Sequence, residues 1–357
     1  MSEDVISYNY KIKDVLERQN KNGYNVFSAF SCIGGSCIGY KLAGFNVIGI
    51  NEIDKRLVDV YKRNFDDCKY IYNQDIRELL NLAKEKKLPQ ELYNLDVFDC
   101  SPPCTPFSIA GKMEKGWGKE KKFAEGQKKQ TLDDLAFIAL DLIKELQPKV
   151  VVLENVIGLL FDKCSYYKNK ILKTFNEIGY NVDIYKISCA DCGVCQLRPR
   201  CFFIASRKDL PFLLIKIIKK QHIIFGRIKE HNITDENLYK FSNALEKTIQ
   251  YYTFGEKNLI NAFKKATGKD GYFSYKVHLD DKICFTLAGD IIRDHLTITD
   301  DKKLRKLTNT ELLKISGFPL DFNFISRQEY NYLKYVVSPI VYELYGRQIK
   351  EYLDKIK

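Results

Sequence analysis

The sequence contains no uninterrupted run of the roughly 18–20 apolar residues that a helix needs to span a membrane. Its first residues, Met1-Ser2-Glu3-Asp4, are acidic, and no basic segment leads into an apolar core as in an export signal. From these two absences we predict a protein that neither crosses a membrane nor leaves the cytoplasm.

A disulfide framework is also missing from the sequence. The eleven cysteines are odd in number and scattered, which is typical of reduced intracellular thiols. Cys189, Cys192 and Cys195 follow one another at intervals of three, but no second cysteine pair nearby completes the tetrahedral ligand set of a zinc site. We therefore predict that the protein binds no metal.

The chain of 357 residues is long enough for two domains, or for one large domain with an insertion, at about 150 residues per domain. Lys and Arg total 57 against 46 Asp and Glu, so the formal net charge is +11. Residues 207–276 alone contain 14 basic and 7 acidic side chains. This charge favours a polyanionic partner, although many Lys-rich proteins bind no polyanion.

Short apolar segments alternate with helically spaced ones over the first half of the chain. The predicted strands are residues 24–30, 45–50, 70–72, 95–100, 150–153, 182–187 and 201–205, and the predicted helices are 36–42, 54–64, 132–145 and 168–178. This alternation predicts an α/β fold with a doubly wound, mostly parallel sheet. The alternation of predicted strands and helices ends after Ser206. We therefore predict a catalytic domain over residues 1–205, a smaller domain over 206–327, and a carboxyl-terminal helix over 328–357 that returns to the first domain.

A glycine-bearing turn follows the first predicted strand. Gly34 and Gly35 precede a helix, and such a turn allows a nucleotide to approach the helix amino terminus. Glu52 follows the second strand, where a carboxylate can accept hydrogen bonds from ribose hydroxyls, and Asp75 follows the third, where it can accept from an adenine amino group. A structural turn with surface acids explains the same pattern equally well.

A cysteine stands in a proline-rich loop directly after the strand predicted over residues 95–100. Pro102, Pro103 and Pro106 surround Cys104 and would hold its thiol in one orientation. The carboxyl end of a strand is where α/β sheets place their ligands. The alternative is a buried structural cysteine, which is the usual state of a thiol in a core.

Two further sites carry charge beside buried strands. Glu154 closes the apolar strand at 150–153, where loss of water raises a carboxyl pKa toward the range useful for a general acid. Arg198 and Arg200, two residues apart, are predicted to point to one side and to grip a carboxylate or the edge of a nucleic-acid base. A capping or ion-paired glutamate and a structural arginine network are the alternatives.

Short motifs along the chain occur in a characteristic order. They are residues 30–45, Pro103-Cys104 with Phe107-Ser108, Glu154-Asn155-Val156, Gln196-x-Arg198-x-Arg200, Arg305-x-Leu307-Thr308 and Gly317-Phe318-Pro319. In this order they resemble the DNA (cytosine-5) methyltransferase family, over most of residues 25–341. The stretch between about 206 and 290 corresponds to the variable target-recognition region of that family. Within it and just beyond, we expect base contacts first in residues 277–295.

The resemblance implies a Rossmann-like methyltransferase that moves a methyl group from S-adenosylmethionine to C5 of a flipped-out cytosine in double-stranded DNA. Cys104 would add to C6 of the cytosine, and Glu154 would hold N3 and the exocyclic amine. Arg198 and Arg200 would steady the O2 edge and Glu154. The cofactor is expected to contact the following residues: Phe30, Gly34, Gly35, Glu52, Ile53, Asp75, Ile76, Pro103 and Leu135.

The resemblance also implies a monomer on DNA and allows for a companion restriction enzyme. The same chemistry on transfer RNA is an alternative function, and a DNA-binding regulator without catalysis is another. The presence of Cys104, Glu154, Arg198 and Arg200 argues against the regulator. Loss of cofactor binding would favour it, because Cys32 replaces a turn glycine and Tyr335 replaces an asparagine near the cofactor. Residues 111–130, with seven Lys, three Glu and four Gly, are predicted to form a lid over the DNA or else an ordinary charged loop.

Overall fold

The computed structural model describes residues 9–103, 134–270 and 275–357. Cys104 and the predicted lid at 111–130 lie outside the described residues. Packing divides the chain into two compact units. The larger contains Lys13–Ser188, Pro199–Ile218 and Ser338–Lys357, and the smaller contains residues 9–12 with Cys189–Arg198 and Lys219–Val337.

The described residues form twelve strands and eleven α-helices. The strands are β1 (Asn25–Ala29), β2 (Asn46–Asn51), β3 (Tyr70–Tyr72), β4 (Val97–Cys100), β5 (Val150–Val156), β6 (Tyr180–Ser188), β7 (Gln196–Leu197), β8 (Pro199–Arg207), β9 (Lys276–His278), β10 (Cys284–Phe285), β11 (His295–Ile298) and β12 (Leu304–Lys306). The helices are α1 (Ile12–Arg18), α2 (Gly35–Leu42), α3 (Lys55–Asn64), α4 (Ile76–Lys84), α5 (Leu135–Leu146), α6 (Ser165–Glu177), α7 (Asn243–Ile249), α8 (Ile260–Thr267), α9 (Ile291–Asp294), α10 (Asn309–Ser316) and α11 (Pro339–Lys355). Among the described helices, none is long and apolar enough to cross a membrane.

The larger unit is built on a seven-stranded sheet with the strand order β3-β2-β1-β4-β5-β8-β6. The five strands from β3 to β5 in that order run parallel to their neighbours, whereas β8 is antiparallel to both β5 and β6. The order reverses between β1 and β4, which is the point where open α/β sheets bind their ligands. The prediction of a doubly wound, mostly parallel sheet is confirmed.

Strands β4 and β5 are buried along their whole length, since helices cover both faces of this sheet. Alternate residues of a strand point to opposite faces. Phe27, Phe98 and Phe203 belong to the core that contains α4, α5 and α6. On the other face, Phe202 and Tyr40 pack against Tyr342 of α11, with ring centroids 5.8 Å and 5.7 Å away.

Helix α11 packs against α2, and the contact requires glycine at position 39. A Cβ at Gly39 would clash with the carbonyl oxygen of Pro339 and with Cβ of Tyr342, and would lie 2.9 Å from the amide nitrogen of Glu343. Because backbone atoms cannot move aside as a flexible side chain can, no side chain fits at this crossing.

We expect Gly39→Ala to lower the free energy of unfolding by about 3 kcal/mol, because overpacking outweighs the gain of about 1 kcal/mol that alanine brings to a helix. Gly346→Ala serves as the matched control, since its Cβ would meet side-chain atoms and no backbone, with Cβ of Ala43 the nearest at 3.1 Å. Urea titration of both variants measures the difference. A Gly39→Ala protein as stable as wild type would contradict the close packing of α2 and α11.

The smaller unit has two small sheets and its own core. Strands β9 and β11 run parallel, β12 is antiparallel to β11, and β7 pairs with β10. The core contains Leu245, Leu259, Val277, Leu296 and Leu304. In the segment predicted to contact DNA bases, residues 277, 278 and 295 are buried, and only 280–282, 289 and 293 are exposed. The expected base contacts in this segment stay a prediction, and the exposed side chains are the ones accessible for them.

The compact units interleave along the chain more than the predicted domains do. Residues Cys189–Arg198 pack in the smaller unit, and Pro199–Ile218 return to the larger one. Helix α11 also packs in the larger unit, from Ser338 onward. The boundaries at 205 and 327 remain a prediction about functional domains. Composition along the chain does not show that the ten residues Cys189–Arg198 pack in the smaller unit while the residues on either side pack in the larger one.

Candidate active site

The turn after β1 has a backbone that favours glycine. Phe30, Cys32 and Gly34 have φ angles of 56°, 51° and 89°, all in the left-handed region. A Cβ at Gly34 would lie 2.7 Å from the ring of Tyr61. Gly34 is therefore required both by its φ angle and by the lack of space. Cys32 also adopts a left-handed φ angle, so the turn forms although cysteine replaces glycine there.

The carboxylate of Glu52 is fixed between this turn and helix α3. Its Oε2 accepts from the backbone N–H of Cys32 at 3.0 Å, and its Oε1 accepts from the backbone N–H of Asp54 at 2.9 Å. Burial raises the pKa of Glu52, and these hydrogen bonds oppose that rise. Each oxygen keeps a further lone pair that can accept from a ligand hydroxyl. Ile53 follows, and its carbonyl accepts from the side chain of Asn73 at 3.1 Å.

The other predicted cofactor residues have structural contacts. Asp75 caps helix α4, where its Oδ1 accepts from the backbone N–H of Arg77 at 3.0 Å, and it pairs with the Arg77 guanidinium at 3.1 Å. Ile76 and Leu135 begin α4 and α5 and are buried in the core. Gly35 is the first residue of α2. A role in cofactor binding remains a prediction for each of them.

The start of the loop that carries Cys104 is held from two sides. Asn155 Nδ2 lies 3.4 Å from the carbonyl oxygen of Pro102, to which it donates, and the hydroxyls of Ser101 and Tyr342 lie 3.4 Å apart. Pro103 is the last described residue before Cys104. Sequence reasoning assigned no role to Asn155, although it stands in the motif around Glu154. Asn155 is only 2% exposed, and this burial of a polar side chain is the structural feature that singles it out.

Glu154 and Arg200 form an ion pair on neighbouring antiparallel strands. In the register of β5 and β8, Glu154 lies opposite Phe202 and Val156 lies opposite Arg200, so the pair is diagonal on one face. The Arg200 Nε lies 2.9 Å from Glu154 Oε1, and the side chains are 13% and 10% exposed. An ion pair this shielded from water holds the carboxyl group in one orientation.

Arg198 lies in the smaller unit and has other contacts. Its Nη2 donates to the carbonyl oxygen of Lys334 at 2.8 Å, and its backbone carbonyl accepts from Cys189 N–H at 3.2 Å. Gln196, in the same unit, donates to the carbonyl of Ile315 at 3.0 Å. The expected joint action of Arg198 and Arg200 remains a prediction.

The cysteines that resemble a metal motif are buried in the smaller unit. Cys189, Cys192 and Cys195 are at most 1% exposed. Cys195 Sγ lies 3.8 Å from Cys284 Sγ, on the neighbouring strand. Within residues 9–103, 134–270 and 275–357, no group of three or more His, Cys, Asp or Glu side chains could hold a metal ion.

The predicted groups of the larger unit follow the carboxyl ends of neighbouring strands. The glycine turn follows β1, Glu52 follows β2 and the Ser101–Pro103 loop follows β4. Glu154 and Asn155 are near the carboxyl end of strand β5. Because these strands are parallel, their ends meet at one edge of the sheet. This edge therefore combines a fixed hydrogen-bond acceptor, a proline-stiffened loop and an arginine-paired carboxyl group.

Comparison with known proteins agrees with this geometry. Residues 24–350 match the profile of the C-5 cytosine-specific DNA methylases. The Type II methyltransferase M.NgoBI of Neisseria gonorrhoeae is 27% identical over 303 residues, 84% of each chain. M.BsuFI of Bacillus subtilis is 26% identical over 328 residues, 90% of this chain and 71% of the relative. A prophage-encoded Escherichia coli chain assigned as a DNA modification methyltransferase shares the fold, with a TM-score of 0.66 at 21% identity over 93% of this chain and 99% of that one. The chain belongs to the C-5 cytosine-specific DNA methylase family.

Proposed function

We propose that this enzyme methylates C5 of cytosine in a specific DNA sequence, with Cys104 as nucleophile, Glu154 as proton donor and S-adenosylmethionine as methyl donor. The observation that carries the proposal is the shielded Glu154–Arg200 pair beside the tethered Ser101–Pro103 loop, at the carboxyl ends of the parallel strands. The membership of residues 24–350 in the family supports it.

The residues around the glycine turn fit S-adenosylmethionine. Glu52 presents carboxylate lone pairs suited to ribose hydroxyls, and Gly34 allows the left-handed turn to pack closely against the Tyr61 ring. When bound, S-adenosylmethionine supplies an electrophilic methyl group on a sulfonium. The remaining proposed contacts to the methyl donor are made by Phe30, Gly35, Ile53, Asp75, Ile76, Pro103 and Leu135.

The protein's own groups make the cytosine ring reactive. The Cys104 thiolate forms a bond to C6, and the displaced electron pair moves toward N3, which receives a proton from Glu154. C5 then has the electron density of an enamine, which is the nucleophile that a sulfonium methyl group would require. A base, for which water is the candidate, removes the C5 proton. The electron pair of that C–H bond forms the C5–C6 double bond and expels the thiolate, and N3 returns its proton to Glu154. Arg200 keeps the Glu154 carboxyl group in place during these transfers.

Arg198 is proposed to act with Arg200 by steadying the O2 edge of the cytosine. The target carbon is inaccessible inside a duplex, so the cytosine must leave the base stack before Cys104 can reach it. We further propose that the protein acts as a monomer on double-stranded DNA in the cytoplasm. Since M.NgoBI and M.BsuFI are named Type II methyltransferases, a restriction-modification system with a companion nuclease is the proposed setting. The family match disfavours both RNA methylation and a non-catalytic regulator.

Bisulfite sequencing of DNA from cells that express the protein tests the proposal. We expect cytosines protected in one sequence context, and none in cells that express Cys104→Ser at the same level. This result would establish the reaction, the substrate and the recognition site together. Complete conversion of every cytosine in cells with folded wild-type protein would overturn the proposal, and protected sites in transfer RNA alone would favour the RNA enzyme.

A further inference from the structure

An aspartate is buried in the middle of the central sheet, and the proposed chemistry does not use it. Asp99 lies in β4, directly opposite Ser28 of β1 and Val152 of β5. It is 1% exposed. Its side chain points to the face covered by α2, because its hydroxyl partners lie there. An acid inside an apolar strand is the kind of local conflict that marks a functional position.

The Asp99 carboxylate is the end of a chain of hydroxyl groups. Ser28 Oγ donates to Asp99 Oδ2 at 2.9 Å, and the Oγ atoms of Ser28 and Ser36 lie 3.1 Å apart. The Tyr40 hydroxyl lies 3.5 Å from Asp99 Oδ1. Ser36 is the second residue of α2, just after the glycine turn. The chain therefore joins the donor turn to the strand that leads into the Cys104 loop.

The groups that face Asp99 are neutral or negative. They are Cys37 and Tyr40 of α2, Glu154 of β5, Tyr342 of α11 and the neighbouring Cys100. Burial raises the pKa of Asp99 to about 7, while hydrogen bonds from Ser36 and Ser28 lower it and the charge of Glu154 adds to the rise. The pKa of Asp99 is thus far above that of an exposed aspartate.

The direction of the hydroxyl chain depends on the charge of Asp99. An ionised carboxylate only accepts, so Ser28 must donate to it, and Ser36 can then donate to Ser28. A protonated carboxyl group can donate to Ser28 instead, which reverses the chain and permits several arrangements. The ionised form therefore allows one ordered arrangement beneath the turn, and the protonated form allows more than one.

We propose that Asp99 is a positioning residue for the methyl donor: its ionised carboxylate orders Ser28 and Ser36, and through them the turn that binds the donor. The inference rests on the proposed function, because the turn is the donor site only in that proposal. By linkage, a donor that binds the ionised form more tightly must itself favour loss of the Asp99 proton. Affinity for the donor therefore rises with pH across the titration of Asp99.

The experiment is a calorimetric titration of the full-length protein with S-adenosylmethionine, below and above pH 7, without DNA. For wild type we expect Kd to fall with pH. Asp99→Asn mimics the protonated form, so its Kd should exceed that of wild type by about tenfold near pH 8.5 and approach it near pH 6. Titration of the ligand itself is common to both proteins, so the ratio of their Kd values isolates Asp99.

Asp96→Asn is the matched control, because Asp96 directly precedes β4 and pairs with Lys149 at 2.8 Å. Its Kd should follow wild type at every pH. Ser28→Ala keeps the charge of Asp99 but breaks the hydroxyl chain, and it should also weaken binding more at high pH. This second variant tests the inference if Asp99→Asn does not fold.

The outcomes separate the two proposals. If Asp99→Asn and Ser28→Ala keep the wild-type Kd at both pH values, the inference is overturned while the proposed function stands. A constant ratio of Kd values across pH also overturns it, since a merely structural role predicts that result. Wild-type protein that is folded but binds no S-adenosylmethionine would overturn the proposed function, and the inference with it.

Discussion

Replacing Cys104 by serine should reduce methyl transfer by at least about 10⁴-fold while DNA affinity stays within about threefold of wild type. A hydroxyl ionises far less readily than a thiol, so the bond to C6 forms too slowly to activate C5. Serine differs from cysteine by one atom, so we expect the DNA affinity to change little. Single-turnover transfer of a labelled methyl group measures the rate, and fluorescence anisotropy measures the affinity.

The matched control for this experiment is Cys164→Ser, at a buried cysteine that begins no active-site loop. It should keep the wild-type rate per folded molecule, although it loses some stability. A Cys104→Ser protein with a rate within tenfold of wild type would remove Cys104 from the chemistry. The loop after β4 would then be structural, and the family assignment alone would remain.

Glu154→Gln is expected to lower kcat by about 10²–10⁴-fold, the range associated with loss of a general acid. Glutamine has the same shape and can still place an oxygen beside Arg200 Nε, at the position of the 2.9 Å contact, but it has no acidic proton for N3 of the cytosine. The variant should therefore bind DNA and donor almost as wild type does. Single-turnover kinetics at saturating donor and DNA measure the loss in the chemical step.

Glu145→Gln is the control for this prediction, because Glu145 pairs with Lys86 at 3.3 Å on the surface of the same unit. A pair of this kind contributes less than about 1 kcal/mol to stability, so activity should not change. If Glu154→Gln keeps kcat within tenfold of wild type, Glu154 does not deliver the proton. Its pairing with Arg200 would then have only a structural purpose.

Much of the catalytic unit follows from local patterns in the sequence. Apolar runs and helical spacing report burial along one segment at a time, and they predicted the strands that became β1 to β5. The glycines at 34 and 35 and the prolines around Cys104 restrict the backbone by themselves, so the two loops could be placed after β1 and β4. Glu52 and Glu154 could be placed because each follows or closes an apolar run.

The tertiary structure decided which of these side chains meet. Glu154 and Arg200 are 46 positions apart, and only the register of β5 against β8 makes them diagonal neighbours. Asp75 became a helix cap because α4 begins at the next residue, Ile76, and no strand pattern indicates where that helix begins.

Sequence alone determined the family, the fold class and the chemistry expected of Cys104 and Glu154, since these depend on residue type and local order. Only the tertiary structure showed that Arg198 packs in a different unit from Arg200, and that Asp99 is buried among the hydroxyls of Ser28 and Ser36. Burial and hydrogen bonding of a polar group depend on segments distant in the chain. Local periodicity carries no information about which distant segment packs against a given side chain.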